Sequence, residues 1–310
     1  MSNLLIVGSL NMDTVINVKD MPKPGETVLG KNYELCPGGK GANQAYAAGK
    51  LGADVSMIGL VGKDDNGMKL LLNLQSVGVN TSGIQTLDNI TSGTAFITVD
   101  DEGENSIIVI SGANYELRKE HIDNHMDLID QCDAVIVQLE VPIDVVTYLA
   151  RIAKSKNKLV ILDPAPAPAP TNLPLELIKN VDIMKPNETE LHALTGMKTE
   201  SIEQIVQASR SLIEKGVKKV IVTVGSKGTV LVTENDYKIF PPRKVAAVDT
   251  TAAGDSFTAA FATKLIEGFS YDDAIKFGNI VSSIVVTRKG AQNSMPSYEE
   301  AIKIYNNYFE

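Results

Sequence analysis

The chain has no tryptophan, three histidines and two cysteines, and aromatic residues make up only 5% of it. Each scarcity excludes a kind of chemistry. Cys36 and Cys132 are too few for a disulfide framework and show no metal-ligand spacing, so they read as reduced thiols. His121 and His125 stand four apart, but the Ile-Asp-Asn between them lacks the glutamate of a zinc-protease helix, and His192 has no obvious partner. No Ser-His-Asp or Cys-His pairing is legible, which leaves hydrolase chemistry little support. Basic residues are outnumbered, 29 Lys and Arg against 38 Asp and Glu for a formal charge of −9, and they are scattered. That balance argues against nucleic acid or an anionic membrane as partner. Long apolar runs are missing as well. Leu4 to Val7, directly behind Met1-Ser2-Asn3, is too short for a signal peptide or a membrane span, so the expected location is the cytoplasm.

What is present is a 310-residue chain with 44% hydrophobic residues, enough for a large core. Apolar, β-branched runs recur at Leu4–Val7, Val55–Leu60, Ala134–Gln138, Leu159–Asp163, Ile183–Lys185, Val220–Val224 and Val230–Thr233. Helical patterns separate them, at Gly41–Leu51, Met68–Val77, Asp144–Lys156, Ser201–Lys215 and Gly254–Glu267. Strand and helix in alternation predict a doubly wound α/β fold with a mostly parallel sheet. Asp13–Tyr33 and Thr94–Ser111 break the rhythm: each reads as strand, turn, strand, with turn residues at Pro22-Lys-Pro-Gly25 and Asp100-Asp-Glu-Gly103. These ribbons are expected to form a small sheet over one edge of the main one, in the position of a lid, or else to be edge hairpins. Pro164 to Pro170 reads as a short polyproline II connection.

Asp249-Thr-Thr-Ala-Ala-Gly-Asp255 is the strongest local signal, because small residues open a helix whose first N–H groups have no intrahelical partners. Ala252, Ala253, Gly254 and Asp255 can then present an anion hole to a phosphoryl group. Asp255 is placed to take a proton from an attacking hydroxyl, or simply to favour the helix dipole. Pro37-Gly-Gly-Lys-Gly-Ala-Asn43 fits neither the P-loop nor the dinucleotide pattern, but its glycines with Lys40 and Asn43 suit a polyhydroxylated ligand. Asn11 and Asp13 follow the first strand at i and i+2, where α/β proteins bind ligands. Gln138-Leu-Glu140, Lys185-Pro-Asn187-Glu-Thr-Glu190 and Thr223-Val-Gly225-Ser226-Lys-Gly228 also fall at strand ends. The last can wrap a nucleotide, and Asn187 with Glu190 can hold a metal through water or merely cap a helix.

Taken together and in this order, Asn11-x-Asp13, Gly38-Gly-Lys-Gly-Ala-Asn43, Pro186-Asn-Glu-Thr-Glu190 and Asp249-Thr-Thr-Ala-Ala-Gly-Asp255 resemble the ribokinase family of carbohydrate kinases, over essentially the whole chain. The resemblance implies a three-layer α/β/α domain over residues 1–310 with a small β-sheet lid at about 13–33 and 94–111. It implies ATP-dependent phosphorylation of ribose at the 5-hydroxyl, with Asp255 as base, Asn11, Asp13, Gly39, Lys40, Asn43 and Glu140 on the sugar, and Asn187 and Glu190 toward phosphate and Mg²⁺. Thr223, Gly225, Ser226, Gly228 and Asn279 match nucleotide-binding positions, and Asp249, Thr251, Val285, Arg288, Gly290 and Ser294 match a potassium site built mostly of carbonyls. It further implies a homodimer through the lid. Kinases for 2-deoxyribose, fructose or adenosine, and a catalytically silent sugar sensor, are the competing readings; the intact Asp255 and anion loop oppose the sensor.

Overall fold

A computed structural model describes residues 3–167 and 173–309. Its main sheet has nine strands, which we number with the rest in chain order: β1 (Asn3–Val7), β4 (Asp54–Gly62), β5 (Asn80–Leu87), β8 (Ala134–Val137), β9 (Leu159–Leu162), β10 (Ile183–Met184), β11 (Lys219–Thr223), β12 (Thr229–Val232) and β13 (Tyr237–Phe240). The spatial order is β13-β12-β11-β10-β9-β8-β1-β4-β5. From β5 to β11 every pairing is parallel. Leu4, Leu5 and Ile6 are fully buried, because helices cover both faces of the central strands and leave no solvent side to alternate toward. Each such side chain contributes roughly 1.5–3 kcal/mol on burial.

β12 departs from the βαβ rhythm. Only five residues separate Thr223 from Thr229, too few for a crossover, so β12 turns back antiparallel on β11 and β13 follows it. β5 and β13 were not among the strands read from sequence. Both are edge strands with a single buried residue each, Gly83 in β5 and Phe240 in the four-residue β13. Of the Pro164–Pro170 connection, residues 168–170 lie outside the described residues, and the Ala165–Pro166 peptide bond is cis.

A second sheet has the order β3-β2-β6-β7, formed by β2 (Asn11–Asn17), β3 (Asn32–Gly38), β6 (Gly93–Val99) and β7 (Asn105–Ile110). The two expected ribbons are present and are joined by a parallel β2–β6 pairing. Their limits differ from expectation. The turn at Lys23–Glu26 exists, closed by a 2.9 Å hydrogen bond, but sits inside a long link, and β2 and β3 reach from Asn11 to Gly38.

The two sheets meet where β1 runs into β2 and β3 runs into the helix Lys40–Lys50, and glycines make the meeting tight. Gly39 has φ 87°, and a Cβ there would stand 2.7 Å from the Asn11 nitrogen. A Cβ on Gly41 would stand 2.7 Å from Gly8 C and Ser9 N. Backbone cannot yield as a flexible side chain can. Gly41→Ala is therefore expected to destabilise the protein by about 1–3 kcal/mol, read as a lower denaturant midpoint at unchanged slope; an unchanged midpoint would show that the contact relaxes freely.

Candidate active site

The site lies at the carboxyl ends of the parallel strands. β1 delivers Ser9 and leads into β2 at Asn11, β8 delivers Gln138 and Glu140, β9 delivers Asp163 and β10 delivers Lys185. Opposite them stands the helix Ala253–Ile266, whose N-cap, Ala252, is left-handed at φ 59° and offers no capping side chain. Ala253 N–H is taken by Thr250 O at 3.3 Å and Ser256 N–H by Ala252 O at 2.9 Å. The N–H groups between them point to an anion-receiving helix start.

Asp255, in the first turn, is 7% exposed. Asn43 Nδ2 donates to its Oδ2 at 2.9 Å and Gln44 Nε2 to its Oδ1 at 3.2 Å. Burial raises its pKa, the Lys40 ammonium opposes this, and Asp163 adds to it. A carboxylate held in this way is a base short of solvent, ready to gain a proton from a neighbour. Lys40 complements it. Burial works against the Lys40 charge, but the carboxylates of Asp255, Glu140, Asp163 and Glu190 outweigh burial and hold the ammonium above its ordinary range.

On one side of this pair lies a polar cluster under the second sheet. Glu140 Oε2 accepts from Ser9 Oγ at 2.5 Å and from Lys40 N at 3.0 Å. Asp13 is pushed up to about 7 by burial first, then by Glu140 and Asp255. Asn11 Oδ1 accepts from Asn114 Nδ2 at 2.8 Å, and Asn114 also brackets Leu10 through its N–H and carbonyl. A Cβ on Gly38 would stand 2.2 Å from Asp13 Oδ2, so that glycine makes room for the carboxylate. The glycines of Pro37–Gly41 therefore allow close approach of protein segments to one another.

On the other side a cavity of about 980 Å³ is lined by Lys40, Asp163, Lys185, Asn187, Glu190, Thr223, Gly225, Ser226, Gly228, Asn279 and the Ala252–Asp255 helix start. Asn187 and Glu190 form a reciprocal capping box, each backbone N–H bonded to the other's side chain at 2.8 Å. Burial and Asp163 raise the pKa of Glu190. Gly225 and Gly228 have φ of 46° and 102°, a turn that only glycine makes without strain. Asn279 Oδ1 accepts from Thr229 Oγ1 at 2.6 Å.

Two residues without an assigned role in the sequence reading are central here. Lys185 Nζ lies 2.9 Å from Asp163 Oδ2, both side chains nearly fully buried, and 3.4 Å from Gly254 O. A Cβ on Gly254 would approach that ammonium to 3.2 Å, so the glycine admits a positive charge beneath the helix start. Among the described residues Asp163 Oδ1 is buried without a hydrogen-bond partner, and it lines the same cavity as Glu190.

The residues matched to potassium lie apart from the cavity, and two chain segments are stitched together there. Asp249 Oδ1 accepts from Thr251 N and Oγ1 at 2.9 and 2.7 Å, and its Oδ2 from Gly290 N at 2.9 Å. Val285 O accepts from Arg288 N at 3.0 Å, and Ser294 O from the Arg288 guanidinium at 3.3 Å. Among the described residues no three His, Cys, Asp or Glu side chains gather as a metal cage, and no helix is long and apolar enough to cross a membrane.

A parallel sheet whose carboxyl edge sets a buried carboxylate beside a helix-start anion hole, between a large cavity and a polar cluster, has the layout of a phosphoryl-transfer enzyme. The comparisons give that class its family. The model of the pfkB family of carbohydrate kinases matches residues 1–298, and the chain belongs to that family. It is 41% identical over 300 residues to the ribokinase of Haemophilus influenzae, covering 97% of each. Deoxyribokinase of Salmonella typhi is 37% identical over 298 residues, 96% of this chain and 97% of that one. The structure of Arabidopsis thaliana ribokinase complexed with ribose and ATP superposes with a TM-score of 0.93 at 36% identity, covering 98% of this chain and 99% of that one.

Asp13 generates a test of its own. Its folded pKa of about 7 exceeds the ordinary 3.8, so the folded state holds a proton that the unfolded chain releases. Its favourable share of stability is full below about 4 and is lost as pH rises to about 7. In ligand-free protein Asp13→Asn should therefore be more stable than wild type at pH 8 by about 1–4 kcal/mol, with the gap closing toward pH 4. Denaturant titrations at both pH values measure it; a gap independent of pH would contradict the burial argument.

Proposed function

We propose that the chain transfers the γ-phosphoryl group of ATP to the 5-hydroxyl of D-ribose. The observation that carries this reading is Asp255, buried in the first turn of the Ala253–Ile266 helix at the junction of the cavity and the polar cluster. Ribose fits the cluster, its ring hydroxyls held by Asn11, Asp13, Gly39, Lys40, Asn43 and Glu140, and ATP fits the cavity with its γ-phosphate against Ala252–Asp255. The 5-oxygen attacks phosphorus in line, its proton passes to Asp255, and the bond to the β–γ bridging oxygen breaks to release ADP. Lys40, Lys185 and the helix-start N–H groups stabilise the charge that develops. The small sheet serves as a lid that excludes water from the transfer.

Magnesium, when bound with ATP, neutralises phosphate charge; the oxygen-only set of Glu190 and the unpartnered Asp163 Oδ1 would hold it through water, beside Asn187. Asp249, Thr251, Val285, Arg288, Gly290 and Ser294 would hold potassium, ordering the loop that leads into the anion hole. Two unpaired thiols fit the cytoplasm, where ATP is supplied. The second sheet carries an apolar outer face: the pairings Leu35–Thr14–Phe96–Ile108 place Leu35, Phe96 and Ile108 in one row, all substantially exposed, with Tyr33 and Ile110 on the same side. That face supports a homodimer through the lid.

A second reading, transfer to 2-deoxyribose, draws on the likeness to deoxyribokinase. The polar cluster favours ribose, since a deoxy analogue would leave buried polar groups unpaired.

Asp255→Asn is expected to lower turnover by about a thousandfold while calorimetry still shows ribose binding; near-wild-type turnover would remove Asp255 from the chemistry. Replacing potassium by a bulky organic cation should lower activity severalfold without changing the product. Ile108→Asp should halve the particle mass in sedimentation, and a wild type already monomeric at high concentration would contradict the lid dimer.

A further inference from the structure

Two side-chain amides hold Asp255, and only one of them, Asn43, belongs to the cluster offered to the sugar. The other, Gln44, is fully buried and does not line the cavity. Its Nε2 donates to Asp255 Oδ1 at 3.2 Å and to Asp163 Oδ2 at 3.0 Å, so one amide nitrogen uses both hydrogens on two carboxylates. Its Oε1 accepts from Gln138 Nε2 at 2.5 Å, and Gln138 is also fully buried. An amide turned over keeps its shape but would set oxygen against both carboxylates. The Gln138 donor opposes that turn.

We propose that Gln44 is a positioning residue for phosphoryl transfer, holding Asp255 as a carboxylate in one rotamer beside Asp163, and that Gln138 fixes which way the Gln44 amide points. The proposal rests on Asp255 being the base. The charged groups facing Asp255 are Lys40 from the helix Lys40–Lys50, Asp163 after β9, Lys185 after β10 and Asp13 on β2. Lys185 neutralises Asp163 from the far side. Gln44 supplies the contact between the two carboxylates, where a cation would compete for the proton-accepting oxygen and an apolar group would leave two anions facing each other. Removing its hydrogen bond withdraws support from the charged form, so the pKa of Asp255 must rise.

The test is kcat against pH at saturating ATP and ribose for Gln44→Met, Gln138→Met, Gln138→Glu and the Gln44→Met/Gln138→Met pair, with ribose and ATP binding by calorimetry. Gln44→Met should lower kcat about tenfold or more and move the acid limb up by about one pH unit, with both affinities within about threefold of wild type. The double variant should match Gln44→Met, because Gln138 acts only through it. Gln138→Glu, which sets an acceptor against the Gln44 oxygen, should lower kcat further than Gln138→Met and serves if Gln44→Met does not fold. An unmoved acid limb with lower kcat, additive losses in the pair, or wild-type kcat in Gln138→Glu would overturn the proposal. If Asp255→Asn is inactive while these fail, the base stands and only its positioning by Gln44 falls; an active Asp255→Asn removes both.

Discussion

The structure turns on keeping a carboxylate charged where water is scarce. Asp255 is buried, lies near a second buried carboxylate, and stands at a helix start that invites yet another anion. Left to burial alone it would take up a proton and cease to be a base. Lys40, Lys185 and the amides of Asn43 and Gln44 act against that uptake while Asp163 adds to it, and these groups arrive from the helix after β3 and from the ends of β9 and β10. The sheet order brings those ends together. A buried ion pair such as Asp163–Lys185 adds little to stability over an apolar pair of the same shape, so its presence points to the chemistry rather than to the fold.

The same demand explains the glycines. The Gly8–Asn11 and Gly38–Gly41 segments touch backbone to backbone, which lets one short helix start present Lys40, Asn43 and Gln44 together. Gly254 leaves room for the Lys185 ammonium, and Gly38 for the Asp13 carboxylate. Asn114 extends the arrangement to the second sheet by fixing Asn11 and Leu10 at the point where β1 becomes β2.

Much of this was legible in the sequence, for physical reasons. Central strands covered on both faces read as unbroken apolar runs, whereas the edge strand Asn80–Leu87 is largely polar and Tyr237–Phe240 is only four residues long and interrupted by Lys238. The helix Tyr271–Val285, packed between the helices Ala253–Ile266 and Tyr298–Phe309, was not among those named from sequence. Asp255, Lys40 and Asn43 stand in short motifs whose chemistry is local. Gln138 stood in a strand-end motif, but its partner and those of Gln44, Asn114 and Gln292 could not be read, since they lie far off in sequence: Gln138 meets Gln44 across 94 positions and Gln292 meets Asn43 across 249. Only the folded topology brings these amides to their partners. Asn187 and Glu190 show the converse, a motif whose local capping role coexists with a place on the cavity wall.

The most direct measurement is phosphorus and carbon NMR of a reaction in which ATP is offered equal amounts of ribose and 2-deoxyribose. The account predicts that phosphorus appears on C5 of ribose first and nearly alone, with ADP formed in equal amount. Phosphorylation at C1, preference for the deoxy sugar, or ADP released without a sugar phosphate would contradict it.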